Sequence, residues 1–263
     1  MKADYKNWVP AGMVMGFGAA SAALGMGAVG ALSPALPGNR TLKNGAAVTL
    51  GLGALGCGAW TLWCVWAREM FSYDGARKLS RQIVEGTADY VSLPEGGVGL
   101  DVGCGSGALT IACAKRNPQA SMVGVDRWGP EYASFNQARC EKNAKAEGVA
   151  NVRFQKGDAC HLDFPDESFD AVTSNYVYHN IVGVNKQALL RETLRVLKKG
   201  GTFAIHDLME KARYGDMEAF AASLRAEGYA DVRLIHTAKG LFMNKGEARR
   251  LFLHGSTLLV GRK

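Results

Sequence analysis

Leu100-Asp101-Val102-Gly103-Cys104-Gly105-Ser106-Gly107-Ala108 is the stretch that decides the fold. Its first residues close an apolar strand pattern over 97–102, and its end opens a helical one over 106–116. Glycine at such a turn lets the backbone bend tightly and lets a ligand approach it closely. The helix amino terminus beyond it offers free N–H groups to an anion. Taken alone, the motif is ambiguous. Gly103, Gly105 and Ala108 also fit the loose G-x-G-x-x-A fingerprint of dinucleotide-binding folds.

Outward from this turn, strand and helix patterns alternate. Strands are expected over 122–126, 152–157, 169–174, 202–206, 231–237 and 256–261. Helices are expected over 130–147, with Pro130 at its start, over 187–199, closed by Gly200-Gly201, and over 216–227. Asp74 is placed to cap an earlier helix on which Leu79, Ile83, Val84, Ala88 and Val91 share a face. No full helix separates the last two strands. The pattern predicts an α/β domain: a doubly wound, mostly parallel seven-stranded sheet with an antiparallel end.

Three acids bear on the ambiguity. Asp101 precedes the loop and is a natural partner for the amino group of a bound amino acid. Asp126 ends the second strand, placed for ribose hydroxyls, and Asp158 follows the third, beside the expected adenine edge. All three sit at carboxyl ends of successive strands, where such sheets bind ligands.

In this order and spacing, the soluble part from Tyr73 to the end resembles the class I S-adenosylmethionine-dependent methyltransferases, small-molecule type. The stretches that carry the resemblance are 99–107, 123–128, 157–160, 164–172 with Phe169-Asp170, and 190–205. The resemblance implies S-adenosylmethionine as cofactor. It implies that Gly103 and Gly105, with Cys104, wrap the methionine portion, and that Asp126 with Arg127 holds the ribose. It implies that Asp158 or its neighbour Ala159 meets the adenine amino group. Tyr73 and Asn175 are the remaining expected cofactor contacts. Asn175 opens Asn175-Tyr176-Val177-Tyr178-His179 at the end of the fourth strand, where family members hold substrate-facing residues. No proline follows Asn175, which disfavours methylation of nucleic-acid base amino groups.

Methyl transfer to a nucleophile that carries a proton needs a base. His179 is the candidate, with Tyr178 beside it and His206-Asp207 ending the fifth strand. His179, Tyr178 and Asp207 are therefore the expected catalytic residues. The segment 239–254 pairs Leu241-Phe242-Met243 with a basic run, and suits either a cover over the site or a membrane-surface contact. Two rival readings remain at this level. One is a membrane-anchored NAD-dependent oxidoreductase, sharing the glycine loop. The other is a non-catalytic cofactor-binding membrane module.

The first 70 residues differ in kind from the rest of the 263-residue chain. Arg40 is the only charge between Lys6 and Lys43, and none lies between Lys43 and Arg68. Two uncharged runs of this length, separated by Pro34, Pro37 and Gly38, predict a transmembrane hairpin with spans at about 9–32 and 46–67. Residues 1–70 then contact membrane lipids, and 71–263 form the methyltransferase domain. Gly12 and Gly16 form a G-x-x-x-G pair expected at the helix contact, with Ala19, Ala23 and Gly27 continuing the small-residue spacing. Lys2, Lys6, Arg68, Arg77, Lys78 and Arg81 outnumber the basic residues of the connecting loop, so both termini and the catalytic domain are expected in the cytoplasm.

The net charge of +7 is spread out and shows no basic stripe, so no nucleic-acid partner is expected. The six cysteines contain no C-x-x-C pair, which gives no support to a metal site. A small-molecule acceptor is the expected partner, and the membrane tether points to a lipophilic one: a quinone, lipid, phenol or thiol.

Overall fold

The structure, a computed structural model, describes residues 2–129 and 134–263. The chain divides into two compact units, one of residues 7–80 and one that joins residues 1–6 to 81–263.

In the first unit, α1 (Ala11–Ala31) and α2 (Arg40–Met70) pack against each other. The second helix begins six residues before the expected span, because the Asn39 side chain accepts the Thr41 N–H and caps it there. The helix contact runs along Gly18, Ser21, Leu24 and Gly25 of α1. Ser21 donates to Ala54 O at 2.8 Å, and a Cβ on Gly58 would sit 3.2 Å from the Ser21 hydroxyl. The expected Gly12/Gly16 pair does not make this contact: a Cβ on either would meet nothing within 4 Å. The 3–4 spacing of the contact stripe leaves both on the opposite side of α1. Gly27 does meet Leu50. Both helices are long and apolar enough to cross a membrane, and only 0% and 6% of their apolar windows are buried within the protein.

The second unit holds one seven-stranded sheet: β1 (Val98–Val102), β2 (Ser121–Asp126), β3 (Val152–Lys156), β4 (Phe169–Asn175), β5 (Leu197–Leu208), β6 (Ala230–His236) and β7 (Ser256–Arg262). Their order is β3-β2-β1-β4-β5-β7-β6, parallel except for β7, which runs antiparallel to both neighbours. The expected sheet is therefore present, with its antiparallel end. Alternating residues of β5 face opposite ways. Phe203 and Ile205 join a core with Leu189, Leu190 and Leu194 of α6 (Lys186–Arg195) and Phe220 and Leu224 of α8 (Met217–Ala226). Ala204 joins a second core with Val84 and Ala88 of α3 (Leu79–Ala88) and Leu109, Ala112 and Cys113 of α4 (Ala108–Arg116). Helices thus cover both faces, and each large apolar side chain so buried contributes roughly 1.5–3 kcal/mol.

Several boundaries differ from expectation. Asp74 caps no helix, since α3 starts at Leu79. The helix expected over 130–147 is α5 (Gln137–Ala146), capped by Asn136, and residues 130–133 lie outside the described residues. Helix α6 stops at Arg195 rather than 199. Leu197 already pairs with Phe169 of β4, so the chain turns extended four residues early. Between β6 and β7 lie a 3-10 turn, Thr237–Lys239, and a short helix, α9 (Lys245–Arg250), closed at its start by an Asn244–Glu247 capping box.

Strand order reverses at β1, between β2 and β4. The crevice beyond the carboxyl ends of β1 and β4 is where open α/β sheets bind ligands.

Candidate active site

The glycine loop leaves β1 into this crevice. Gly103, Gly105 and Gly107 have φ of +75, +56 and +84°, values that favour glycine. A Cβ on Gly103 would lie 2.3 Å from Val177, whereas among the described residues one on Gly105 would meet nothing closer than 3.9 Å. Gly105 thus leaves open space against the backbone, as a cradle for a ligand requires. The Gly103 and Cys104 N–H groups donate to Val125 O. Cys104 is buried beside Cys140, and burial pushes its thiol well above the usual range.

Asp126 stands at the end of β2, half-buried. Its Oδ2 accepts the Gly105 N–H and its Oδ1 the Trp128 N–H, at 2.9 and 2.7 Å. The Trp128 indole returns to Gly105 O at 2.9 Å, so carboxylate, indole and loop form one closed ring of bonds. Each carboxylate oxygen retains a lone pair for a ribose hydroxyl. Asp158 is exposed after β3, where its side chain accepts the Cys160 N–H and forms a tight turn, with Ala159 half-buried within it. Arg127 is exposed. Tyr73 belongs to the other compact unit, in the stretch between α2 and α3.

Asp101 requires a correction. It does not face the crevice: it is 1% exposed, and its two oxygens accept the hydroxyls of Thr110 on α4 and Thr173 on β4 at 2.6 and 2.9 Å. It braces β1 against both neighbours instead of meeting a ligand amine. Burial pushes its carboxyl up to about 6, against the opposing pull of the two threonine hydroxyls.

At the far side of the crevice, His179 and Asp207 come together. Imidazole Nδ1 lies 2.5 Å from Asp207 Oδ1. The same carboxylate, fully buried, also accepts the backbone N–H groups of Leu208, Tyr178 and His179. Burial raises the Asp207 carboxyl, but the His179 ring, the Leu208 N–H and the Tyr214 hydroxyl outweigh it and hold it below the usual range. An ionised Asp207 fixes the proton on Nδ1 and leaves the Nε2 lone pair free to accept a proton. Nε2 makes no hydrogen bond among the described residues, and the His179 side chain is 17% exposed.

Tyr178 is the second correction. Its ring is fully buried and its hydroxyl pairs with Thr193 at 2.5 Å, so it anchors the turn that carries His179 and meets no substrate. His206 is fully buried between Asn175 Oδ1 and the Thr237 hydroxyl, both at 2.8 Å. Burial pushes its imidazole down to about 3, so it stays neutral and orients the Asn175 amide.

Tyr176 lies in the stretch expected to face substrate but has no role of its own assigned from the sequence, yet it is central. Its φ is +55°, an uncommon value for an aromatic residue and one that collects at functional sites. Its hydroxyl bonds Ser256 at 2.6 Å, and its ring lies between His179 and His206, at 6.0 and 4.6 Å between centroids. Phe242 closes the cluster edge-on to His206 at 5.5 Å, and a Cβ on Gly86 would strike its ring. The segment 239–254 therefore lies over this end of the sheet. Only pairings between distant strands bring these residues together, so no local signal marks them.

Residues 100–205 match the family model described as "Methyltransferase domain". The uncharacterized methyltransferase YcgJ of Bacillus subtilis is 38% identical over 108 residues, 41% of this chain and 39% of that protein. A demethylmenaquinone methyltransferase of Lactobacillus johnsonii is 34% identical over 115 residues, covering 42% of this chain and 43% of its own length. The chain thus spans about two-fifths of the curated relatives it matches. Among solved structures, the (4+2)-cyclase SpnF superposes with a TM-score of 0.53 at 21% identity, over 72% of this chain and 84% of its own. That similarity is one of fold, and one fold hosts several chemistries. The antiparallel β7 between β5 and β6 departs from the all-parallel dinucleotide-binding sheet. The matched segment and the seven-stranded sheet agree: residues 100–205 match a methyltransferase domain within a sheet of the class I fold, whose cofactor is S-adenosylmethionine.

Proposed function

We propose that the protein is a membrane-anchored methyltransferase that acts on a small lipophilic acceptor bearing an ionisable O–H or S–H group, such as a quinol, phenol or thiol. The observation that carries this reading is the His179–Asp207 pair, held at 2.5 Å across the crevice from the glycine loop. When bound, the cofactor supplies an activated sulfonium methyl group. The residues then have two tasks, alignment and proton removal. Gly103, Cys104 and Gly105 cradle the methionine portion, Asp126 with Arg127 takes the ribose, and Asp158 with Ala159 meets the adenine edge. Asn175, locked by His206, borders the methyl-transfer position. Asp207 holds His179 with Nε2 directed at the acceptor proton.

Residues 1–70 serve as the anchor in this reading, and 71–263 as the catalytic domain. The unburied apolar surface of α1 and α2 supports it, since a core helix of a soluble protein hides such a surface. The basic flanks favour cytoplasmic termini. Residues 2–6 pack with 81–263 in one unit, so both lie on one side of the membrane, which requires an even number of spans. Location supplies the lipophilic character of the acceptor. The demethylmenaquinone relative methylates, by its name, a quinone.

The test is methyl transfer by the full chain in its native membrane, using a tritium-labelled methyl donor, a short-chain naphthoquinol, a phenol and an alkyl thiol. Label in the organic extract that depends on one acceptor and disappears with His179→Ala supports the reading. Label in none of them contradicts it.

A further inference from the structure

Residues 2–6 precede the first apolar helix, and neither the glycine loop nor the catalytic pair accounts for them. Asp4 donates its backbone N–H to Asn143 Oδ1 at 2.8 Å, and its carbonyl accepts from Asn143 Nδ2 at 3.1 Å. The same Nδ2 donates to Ser106 O at 2.9 Å, inside the glycine loop. The Ser106 hydroxyl donates to Tyr5 O at 2.8 Å. Asn143, Ser106 and Tyr5 are 1%, 6% and 7% exposed, so the Asn143–Ser106 and Ser106–Tyr5 bonds are buried, and those to Asp4 are part-buried. The Asp4 carboxylate accepts the Lys6 N–H at 3.1 Å and Arg139 Nη1 at 2.8 Å. Lys6 has φ of +57°, so the chain turns sharply as it leaves this contact.

We propose that residues 2–6 are a strap that forms the outer wall of the glycine loop and sets its affinity for the cofactor. Three left-handed glycines give the loop little stiffness of its own, so its shape depends on bonds from outside. Asp126 and Trp128 hold its inner side through Gly105. The strap and Asn143 hold its outer side through Ser106. Asn143 is the joint: one buried amide grips strap and loop together, so release of the strap leaves Asn143 and Ser106 with unpaired polar atoms. A loop held in its binding shape loses less entropy on binding. Four residues, 7–10, join the strap to α1, so the strap also links the membrane anchor covalently to the cofactor site. The exposed Asp4–Arg139 ion pair adds little by itself. The backbone bonds and the buried Tyr5 carry the effect.

This inference rests on the reading that the loop binds S-adenosylmethionine. The test combines Ala3→Gly, Asp4→Pro and Tyr5→Gly, which keeps the length, Lys2 and Lys6 and removes the Asp4 N–H. Calorimetry with S-adenosylhomocysteine on the detergent-solubilised full chain should show a Kd raised about fivefold or more. Hydrogen exchange at residues 104–108 of the ligand-free protein should speed up. Arg139→Gln, which removes the exposed ion pair with Asp4 and keeps the backbone bonds of the strap, should stay close to wild type. A wild-type Kd for the triple variant overturns the strap, whether or not exchange changes. Absence of binding by the wild-type chain itself overturns the cofactor reading first, and the strap with it.

Discussion

Asp207→Asn probes the catalytic pair without removing the imidazole. The carboxylate accepts from His179 Nδ1, Leu208 N–H, Tyr178 N–H and His179 N–H. An amide keeps one oxygen and replaces the other with a donor. On the Tyr178 side, that donor would face two backbone N–H groups. It therefore turns towards His179, where it donates to Nδ1 and moves the ring proton to Nε2. The imidazole is then in place but has no lone pair for the acceptor proton. Loss of general-base catalysis costs about 10²–10⁴ in rate, so we expect turnover to fall about 10²–10³-fold, or about 3–4 kcal/mol in barrier. The assay is transfer of labelled methyl to the preferred acceptor between about pH 6 and 9, spanning the ordinary imidazole range. The variant should recover partly at high pH, where the acceptor ionises unaided. Affinity for S-adenosylhomocysteine should stay within about twofold, because Asp207 lies away from the glycine loop. Leu208 N–H opposite the new amide costs stability, of order 1–3 kcal/mol, so melting temperature is measured in parallel. Wild-type turnover and pH profile in a folded variant would refute the pair's role.

Other perturbations separate the remaining parts of the account. Gly103→Ala places a Cβ 2.3 Å from Val177 at a φ of +75°, so it should lower the melting temperature and abolish measurable cofactor binding. Thermal unfolding together with calorimetry checks it. Asp101 has its folded pKa raised from 3.8 to about 6, so the folded state holds its proton while the unfolded chain loses it. The resulting cost develops between about pH 4 and 6 and stays near 3 kcal/mol above that. Asp101→Asn should then stabilise the domain at pH 8 relative to wild type and leave it unchanged below pH 4, as read by denaturant unfolding. An alkaline carbonate wash should leave the chain in the membrane pellet, because apolar burial is insensitive to charge. Release into the supernatant would remove the anchor.

Much of the fold is legible in the sequence because its signals are local. The glycine turn, the strand spacing and the two uncharged runs each act over a few residues. Boundaries set by tertiary pairing are not legible. Leu197 looks like the last turn of a helix, and only its partner Phe169 on β4 makes it a strand. Gly12 and Gly16 match the helix-contact motif, yet the stripe through Ser21 is the one that packs. The site divides in the same way. Asp126 and the glycines lie where strand ends place them. His179 and Asp207 are 28 positions apart, and only the parallel register of β4 and β5 joins them. Asp101 and Tyr178 are hidden by Thr173 and Thr193, 72 and 15 positions away. Tyr176 announces itself through its backbone conformation, which a sequence does not display.

The most direct measurement is a calorimetric titration of the detergent-solubilised full chain with S-adenosylhomocysteine, beside Asp126→Ala and with NADH as the competing ligand. Asp126 holds the loop through Gly105 and faces the expected ribose. The account predicts micromolar binding to wild type, weakened by about tenfold or more in Asp126→Ala through lost hydrogen bonds, and no heat with NADH. Saturable heat with NADH and none with S-adenosylhomocysteine would contradict it.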